Sequence, residues 1–153
     1  MSTPSLTIIS GGQTGADRAA LDWAISNNVP HCGWCPKGRL ALDGPLDERY
    51  QLTETPSDGY PQRTEWNVRD SDATVVFTLA AKPTGGSKKT CTLAGKHGKP
   101  CLHLHPKLGN PAGDLVAFLR EHKPRKLNMA GSRAEKEPGL YDWVILVLNL
   151  AMK

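Results

Sequence analysis

The stretch from Leu6 to Asn27, Leu-Thr-Ile-Ile-Ser-Gly-Gly-Gln-Thr-Gly-Ala-Asp-Arg-Ala-Ala-Leu-Asp-Trp-Ala-Ile-Ser-Asn, constrains the fold more than any other part of this chain. An apolar run carrying Leu6, Ile8 and Ile9 stops at a glycine-rich turn, and Ala16, Ala19, Ala20, Trp23 and Ala24 then recur at helical spacing. Strand, glycine turn, helix is the unit with which α/β folds present unpaired N–H groups and a positive helix end to an anion. Gly11, Gly12 and Gly15 permit the positive φ and close backbone approach that such a turn needs. Their G-G-x-x-G spacing is not the dinucleotide fingerprint G-x-G-x-x-G. The turn therefore reads either as an anion cradle or as an ordinary tight connection.

The same unit repeats. The pattern predicts strands at 6–9, 30–34, 73–79, 100–105 and 125–130, and helices at 15–27, 61–70, 87–97, 111–122 and 139–152. Asn110-Pro111 supplies a cap and a first-position proline to one helix, while Gly98 and Pro100 separate another from its following strand. Alternation of this kind predicts a parallel sheet with helices on both faces. With 153 residues, no internal repeat and no linker, one domain spanning 1–153 is expected.

Two further turns follow predicted strands. Lys82-Pro-Thr-Gly-Gly-Ser-Lys-Lys-Thr90 lies after Thr74–Leu79, with Ser87 expected as the helix cap. It lacks the Gly-Lys-Ser/Thr ending of a Walker A loop. The third is Met129-Ala-Gly-Ser-Arg-Ala-Glu-Lys-Glu-Pro-Gly139. In a parallel sheet all three turns lie at the carboxyl edge, where such folds bind ligands.

The net charge of +4 has its basic residues near these turns (Lys37, Arg39, Arg63, Lys82, Lys88, Lys89, Arg133 and Lys136), which suits a small anion. No basic stripe interleaved with aromatics points to nucleic acid. The polar start of the chain and the lack of an apolar run of ~18 residues predict neither a leader nor a membrane span, and hence a cytoplasmic protein.

Cys32-Gly-Trp-Cys35 has redox or half-zinc spacing, but Pro36 and Gly38 follow at once and a partner pair is missing, so structural thiols are expected and no metal. His103 and His105 share one face of a predicted strand and are expected to cap its end. Residues 36–60, rich in Pro and Gly but carrying Leu40, Leu42, Leu46, Tyr50 and Leu52, read as an ordered lid or as a packed surface loop. The segment Tyr141–Met152 is apolar almost all round, which predicts burial in the core or, the favoured alternative, between subunits.

Together, Ser10–Ala24, Gly33–Arg39, Tyr50–Thr55, Gln62–Ala73, Thr84–Ser87, Gly95–Pro100 and Ala130–Arg133 resemble the molybdenum cofactor carrier proteins over nearly the whole chain. The resemblance implies a Rossmann-like fold related to the cytokinin-activating phosphoribohydrolases. It also implies an oligomer, often a tetramer, that binds and protects the molybdenum cofactor without catalysis and passes it to molybdoenzymes. Molybdate or a related pterin is the other cargo to expect.

For such a ligand, Gly11, Gly12, Gln13, Thr14 and Gly15 or Thr84, Gly85, Gly86 and Ser87 would hold the phosphate at a helix start. Gln13, Asn67 or Asp72 would meet the pterin edge, and Trp66 or Arg63 would stack on its ring. Lys37, Arg39, Lys88 and Arg133 would neutralise charge. No catalytic residue is expected, because the phosphoribohydrolase motif P-G-G-x-G-T-x-x-E ends in a glutamate that Pro83–Thr92 lacks. The competing readings are a nucleotide-binding sensor and an enzyme acting on nucleoside monophosphates.

Overall fold

The computed structural model describes residues 5–152. The chain runs β1 (Thr7–Ile9), α1 (Ala16–Ser26), β2 (His31–Cys32), β3 (Trp34–Cys35), β4 (Leu40–Ala41), β5 (Gly44–Pro45), β6 (Thr53–Glu54), α2 (Tyr60–Arg69), β7 (Ala73–Phe77), α3 (Gly85–Lys96), β8 (Cys101–Leu104), α4 (Pro111–His122), β9 (Lys126–Gly131) and α5 (Leu140–Ala151). Five strands form one sheet in the order β2-β1-β9-β7-β8, and every pairing in it is parallel. This is the parallel α/β sheet that the alternation predicts, in the Rossmann-like form that the resemblance implies.

The order of the strands makes the crevice. β1 passes through α1 to β2 and β7 passes through α3 to β8, so the two connections leave for opposite edges. Because such crossovers are right-handed, α1 and α3 fall on opposite faces. The main core accordingly joins Ala16, Ala20 and Trp23 of α1 to Leu115 of α4 and Val144 and Leu148 of α5. A smaller cluster of Val68, Leu93 and Ala94 ties α2 to α3 on the other face. β9 lies between β1 and β7, and the gap opened by the diverging connections sits over its carboxyl end. All five residues of β7 are buried, as a strand covered on both faces requires.

Two expectations need correction. The strand expected at 30–34 breaks at Gly33, whose φ of 141° and close approach to the Ser10 carbonyl admit no side chain. Beyond it the chain leaves the main sheet, and β3 pairs with β6. Ser87 is not the cap of α3; the helix starts two residues earlier with Thr84 in the capping position, and Ser87 lies in the first turn. Residues 36–60 form a packed arm, in which Ala41, Leu46, Tyr50 and Leu52 bury themselves against Leu21 and Cys35 and Tyr60 alone borders the central cavity. α4 starts as expected, with the Asn110 side chain accepting the Gly113 amide at 3.0 Å. In α5, Leu140, Val144, Val147 and Leu148 are core, whereas Leu146 and Leu150 remain 54 % and 66 % exposed.

Candidate functional site

A cavity of about 450 Å³ lies over the carboxyl ends of β1, β9 and β7, within the range of small-ligand sites. All three glycine-containing turns reach it. Gly11, Gln13 and Asp17 come from the β1–α1 turn, Thr84 to Ser87 and Thr90 from the start of α3, and Ser132, Arg133 and Lys136 from the turn after β9. Tyr60, Arg63, Thr64 and Asn67 of α2 close one side, and Asn128, Ala130 and Gly131 of β9 form the base.

The two helix starts facing this space differ. At α1 the protein's own groups occupy the end: Ala16 N–H donates to the Ser132 carbonyl, Gln13 N–H donates to Asp17, and Gly15 is pressed against the 132–134 backbone. The Thr14 hydroxyl donates to Glu135 at 2.6 Å, closing the same corner. At α3 Thr84 makes no side-chain cap, and the amides of Gly85, Gly86 and Ser87 have no acceptor among the described residues. Gly85 takes a φ of 54°, and a side chain on Gly86 would meet nothing within 4 Å, so the approach is open. The Lys136 ammonium donates to the Thr84 hydroxyl beside these amides, and Arg133 borders the same cavity. This end thus presents three amides without acceptors among the described residues, the positive end of a 12-residue helix and the Lys136 ammonium, the donor set that anions favour.

The wall toward α2 carries a buried ion pair. Arg63 Nη1 lies 3.0 Å from Asp17 Oδ2, with the two side chains only 8 % and 9 % exposed. Gly11 makes room for it, since a Cβ there would fall 2.0 Å from Arg63 Nη1. The Tyr60 ring covers the guanidinium from the other side at 5.2 Å. Burial pushes the Asp17 carboxyl above its ordinary range, and the Arg63 charge and the Gln13 N–H offset this only in part. Arg63 Nε is buried without a partner. Behind the β9 turn, Glu137 feels burial as an upward pull, yet the Leu79 and Ala80 amides that it accepts help to hold it below the usual carboxylate range.

Of the residues expected from sequence, the cavity brings together Gly11, Gln13, Arg63, Asn67, Thr84, Gly85, Gly86, Ser87 and Arg133. Gly12, Thr14 and Gly15 shape the turn without bordering the cavity; Gly12 packs on Leu46 and Leu52. Lys37 and Arg39 lie in the arm, and the Arg39 guanidinium is spent on the carbonyls of Asp47, Tyr50 and Leu52. Trp66 packs edge-on against Trp34 at 4.8 Å, away from the cavity. Asp72 is at the amino end of β7, accepting the Arg125 and Lys126 amides, and Lys88 is exposed on α3. Both amide groups of Asn67 are engaged by the Trp34 backbone, although the residue faces the cavity.

Sequence reasoning missed Asp17, Tyr60 and Asn128 as wall residues and had Lys136 only among the basic residues near the turns. Asp17 reads as an ordinary first-turn acid, and only the position of Arg63, 46 residues away, gives it a partner in the cavity. Trp23 is core, as its spacing suggests, and its ring N–H donates to Asn149. Cys32 and Cys35 sit in strands rather than at a helix start, and burial raises both thiols. His103 shares a 2.6 Å hydrogen bond with Thr78 at the end of β8.

Comparison with known proteins places this geometry. The profile of the circularly permutated YpsA SLOG family matches residues 8–152. Among solved structures, a protein of Syntrophus aciditrophicus SB named as a putative molybdenum carrier protein is 42 % identical, covering 99 % of this chain and 98 % of its own, with a TM-score of 0.91. A search of curated proteins gives no match.

Proposed function

The chain belongs to the circularly permutated YpsA SLOG family, and on that premise we propose that its central cavity binds the molybdenum cofactor, or molybdate, as cargo. In this reading the protein stores the ligand and passes it to molybdoenzymes in the cytoplasm without catalysing a reaction. The observation that carries the reading is the open start of α3, where three unpartnered amides stand beside Lys136 in a cavity that Arg133 also lines. A phosphate or an oxyanion is the group that such donors recognise. The name of the Syntrophus relative supports a molybdenum-containing cargo. A homotetramer would cover the exposed Leu146 and Leu150 of α5.

Anaerobic titration with the molybdenum cofactor tests this, with guanosine 5′-monophosphate and molybdate as controls. Saturation near one site per chain and slower oxidation of the bound cofactor are expected. Binding of the nucleotide alone would overturn the carrier reading and leave a nucleotide sensor. One observation favours the enzymatic alternative: Asp17 puts a carboxyl in the cavity that the α3 sequence lacks. Release of free base from nucleoside monophosphates would establish that alternative.

A further inference from the structure

The two ends of the cavity offer different chemistry. The α3 end presents donors and cations only. The α2 end presents a linked acid and base whose hydrogen bonding is incomplete. Arg63 Nη1 and Asp17 Oδ2 satisfy each other, and Oδ2 also accepts the Gln13 amide. Asp17 Oδ1 and Arg63 Nη2 have no hydrogen-bond partner among the described residues, and neither is sealed from solvent as Arg63 Nε is. Asp17 of α1 and Arg63 of α2 both line this end of the cavity, and the atoms the pair leaves without a partner are one acceptor and one donor.

From this arrangement we propose that the Asp17–Arg63 pair is the specificity element of the cavity, reading the edge of a flat nitrogen heterocycle whose phosphate sits at α3. The proposal rests on the phosphate reading above and names its ligand class. A ring edge with an adjacent N–H and C=O, as in a 4-oxopterin or a guanine, places a donor on Oδ1 and an acceptor on Nη2. Molybdate has no donor for Oδ1, inorganic phosphate has a P–OH but no flat edge that meets Oδ1 and Nη2 together, and both meet an ionised carboxylate with like charge, so this end disfavours either anion alone.

The fold maintains this pair at a cost. Burying two charges and leaving a guanidinium N–H without a partner are both unfavourable, and apolar residues of the same volume are commonly no less stable. Gly11 must stay bare for Arg63 to fit, and the Tyr60 ring pins the guanidinium against it. The donor is thereby rigid before any ligand arrives, which lowers the entropic cost of binding. Tyr60 is 39 % exposed and lines the cavity, so its ring also offers a stacking edge.

Anaerobic calorimetry with guanosine 5′-monophosphate, a pterin phosphomonoester and inorganic phosphate tests the proposal on the wild type and on Asp17→Asn, Tyr60→Ala and Lys136→Ala. The heterocyclic phosphates are expected to bind at least about tenfold more tightly than inorganic phosphate. Asp17→Asn removes at least about tenfold of that affinity and leaves inorganic phosphate unchanged, whereas Lys136→Ala weakens all the ligands. Equal affinities for Asp17→Asn and wild type, or an equal loss on inorganic phosphate, would overturn the proposal while the α3 anion site stands. Failure of all these ligands to bind would overturn both. Should Asp17→Asn fail to fold by circular dichroism, Tyr60→Ala carries the test, with the same selective loss expected and an unselective one refuting it. The tighter of the two heterocycles identifies which source of this chemistry the site prefers.

Discussion

Removing the cation from the buried pair gives the sharpest test of how this cavity wall is held. At an effective dielectric of about 20, unit charges 3.0 Å apart attract by about 5 to 6 kcal/mol before desolvation is charged against them. Arg63→Met keeps the apolar stem and leaves the Asp17 carboxylate with the Gln13 N–H as its remaining donor. Breaking one side of a buried pair costs about 3–5 kcal/mol, and the loss of the Tyr60 contact adds about 0.5–1 kcal/mol. Urea unfolding at pH 7.5 should therefore lose about 3.5–6 kcal/mol with an unchanged m-value.

The pH dependence separates electrostatics from packing. Burial already holds the Asp17 carboxyl above its ordinary range, and without Arg63 it rises further. A carboxyl raised on folding binds more protons folded than unfolded, so stability is lost as pH rises from the unfolded value near 4 through the folded one. The gap between Arg63→Met and wild type should thus be wide at pH 7.5 and narrow toward pH 4.5. A loss that stays constant over this range would refute the electrostatic account and leave Arg63 a packing residue.

The remaining predictions concern the arm, the α3 start, the β1 turn and the thiols. Arg39→Ala removes donors from three carbonyls and should cost about 1–3 kcal/mol in urea unfolding, with phosphate affinity unchanged in calorimetry. Gly86→Asp has open space for its side chain, so the melting temperature should hold while its charge abolishes phosphate binding. Gly15→Ala meets the Ser132 carbonyl at 2.4 Å with φ at 86°, and should cost at least about 1–3 kcal/mol by the same unfolding assay. Interaction with Cys101 lowers the Cys91 thiol while burial raises Cys32 and Cys35, so mass spectrometry after brief alkylation at pH 7 should find Cys91 labelled first.

How much of this was legible in sequence follows from the range of each interaction. The strands and helices of the main sheet were readable because apolar period and glycine punctuation are local. The three turns could be placed at one edge because parallel strands leave no other choice. Gly33 was not legible as a break, since it depends on the Ser10 carbonyl just past the end of β1. Ser87 looked like a cap because its side chain suits one, but the helix is free to start at Gly85. Basic residues near turns could be counted but not aimed: Arg39 staples the arm, whereas Arg133 and Lys136 reach the cavity. Asp17 was the costliest omission, because its role exists only through Arg63 on a helix 46 residues away.

Anion binding in this cavity turns on the three amides at the start of α3. Amide NMR of the isotopically labelled protein, recorded with and without a saturating phosphate-bearing ligand, reads them directly. Downfield proton shifts are expected at Gly85, Gly86 and Ser87, as new hydrogen bonds to an anion produce, with Gly12 and Gly15 little changed. Saturable binding that leaves all three α3 amides unmoved would contradict anion binding there.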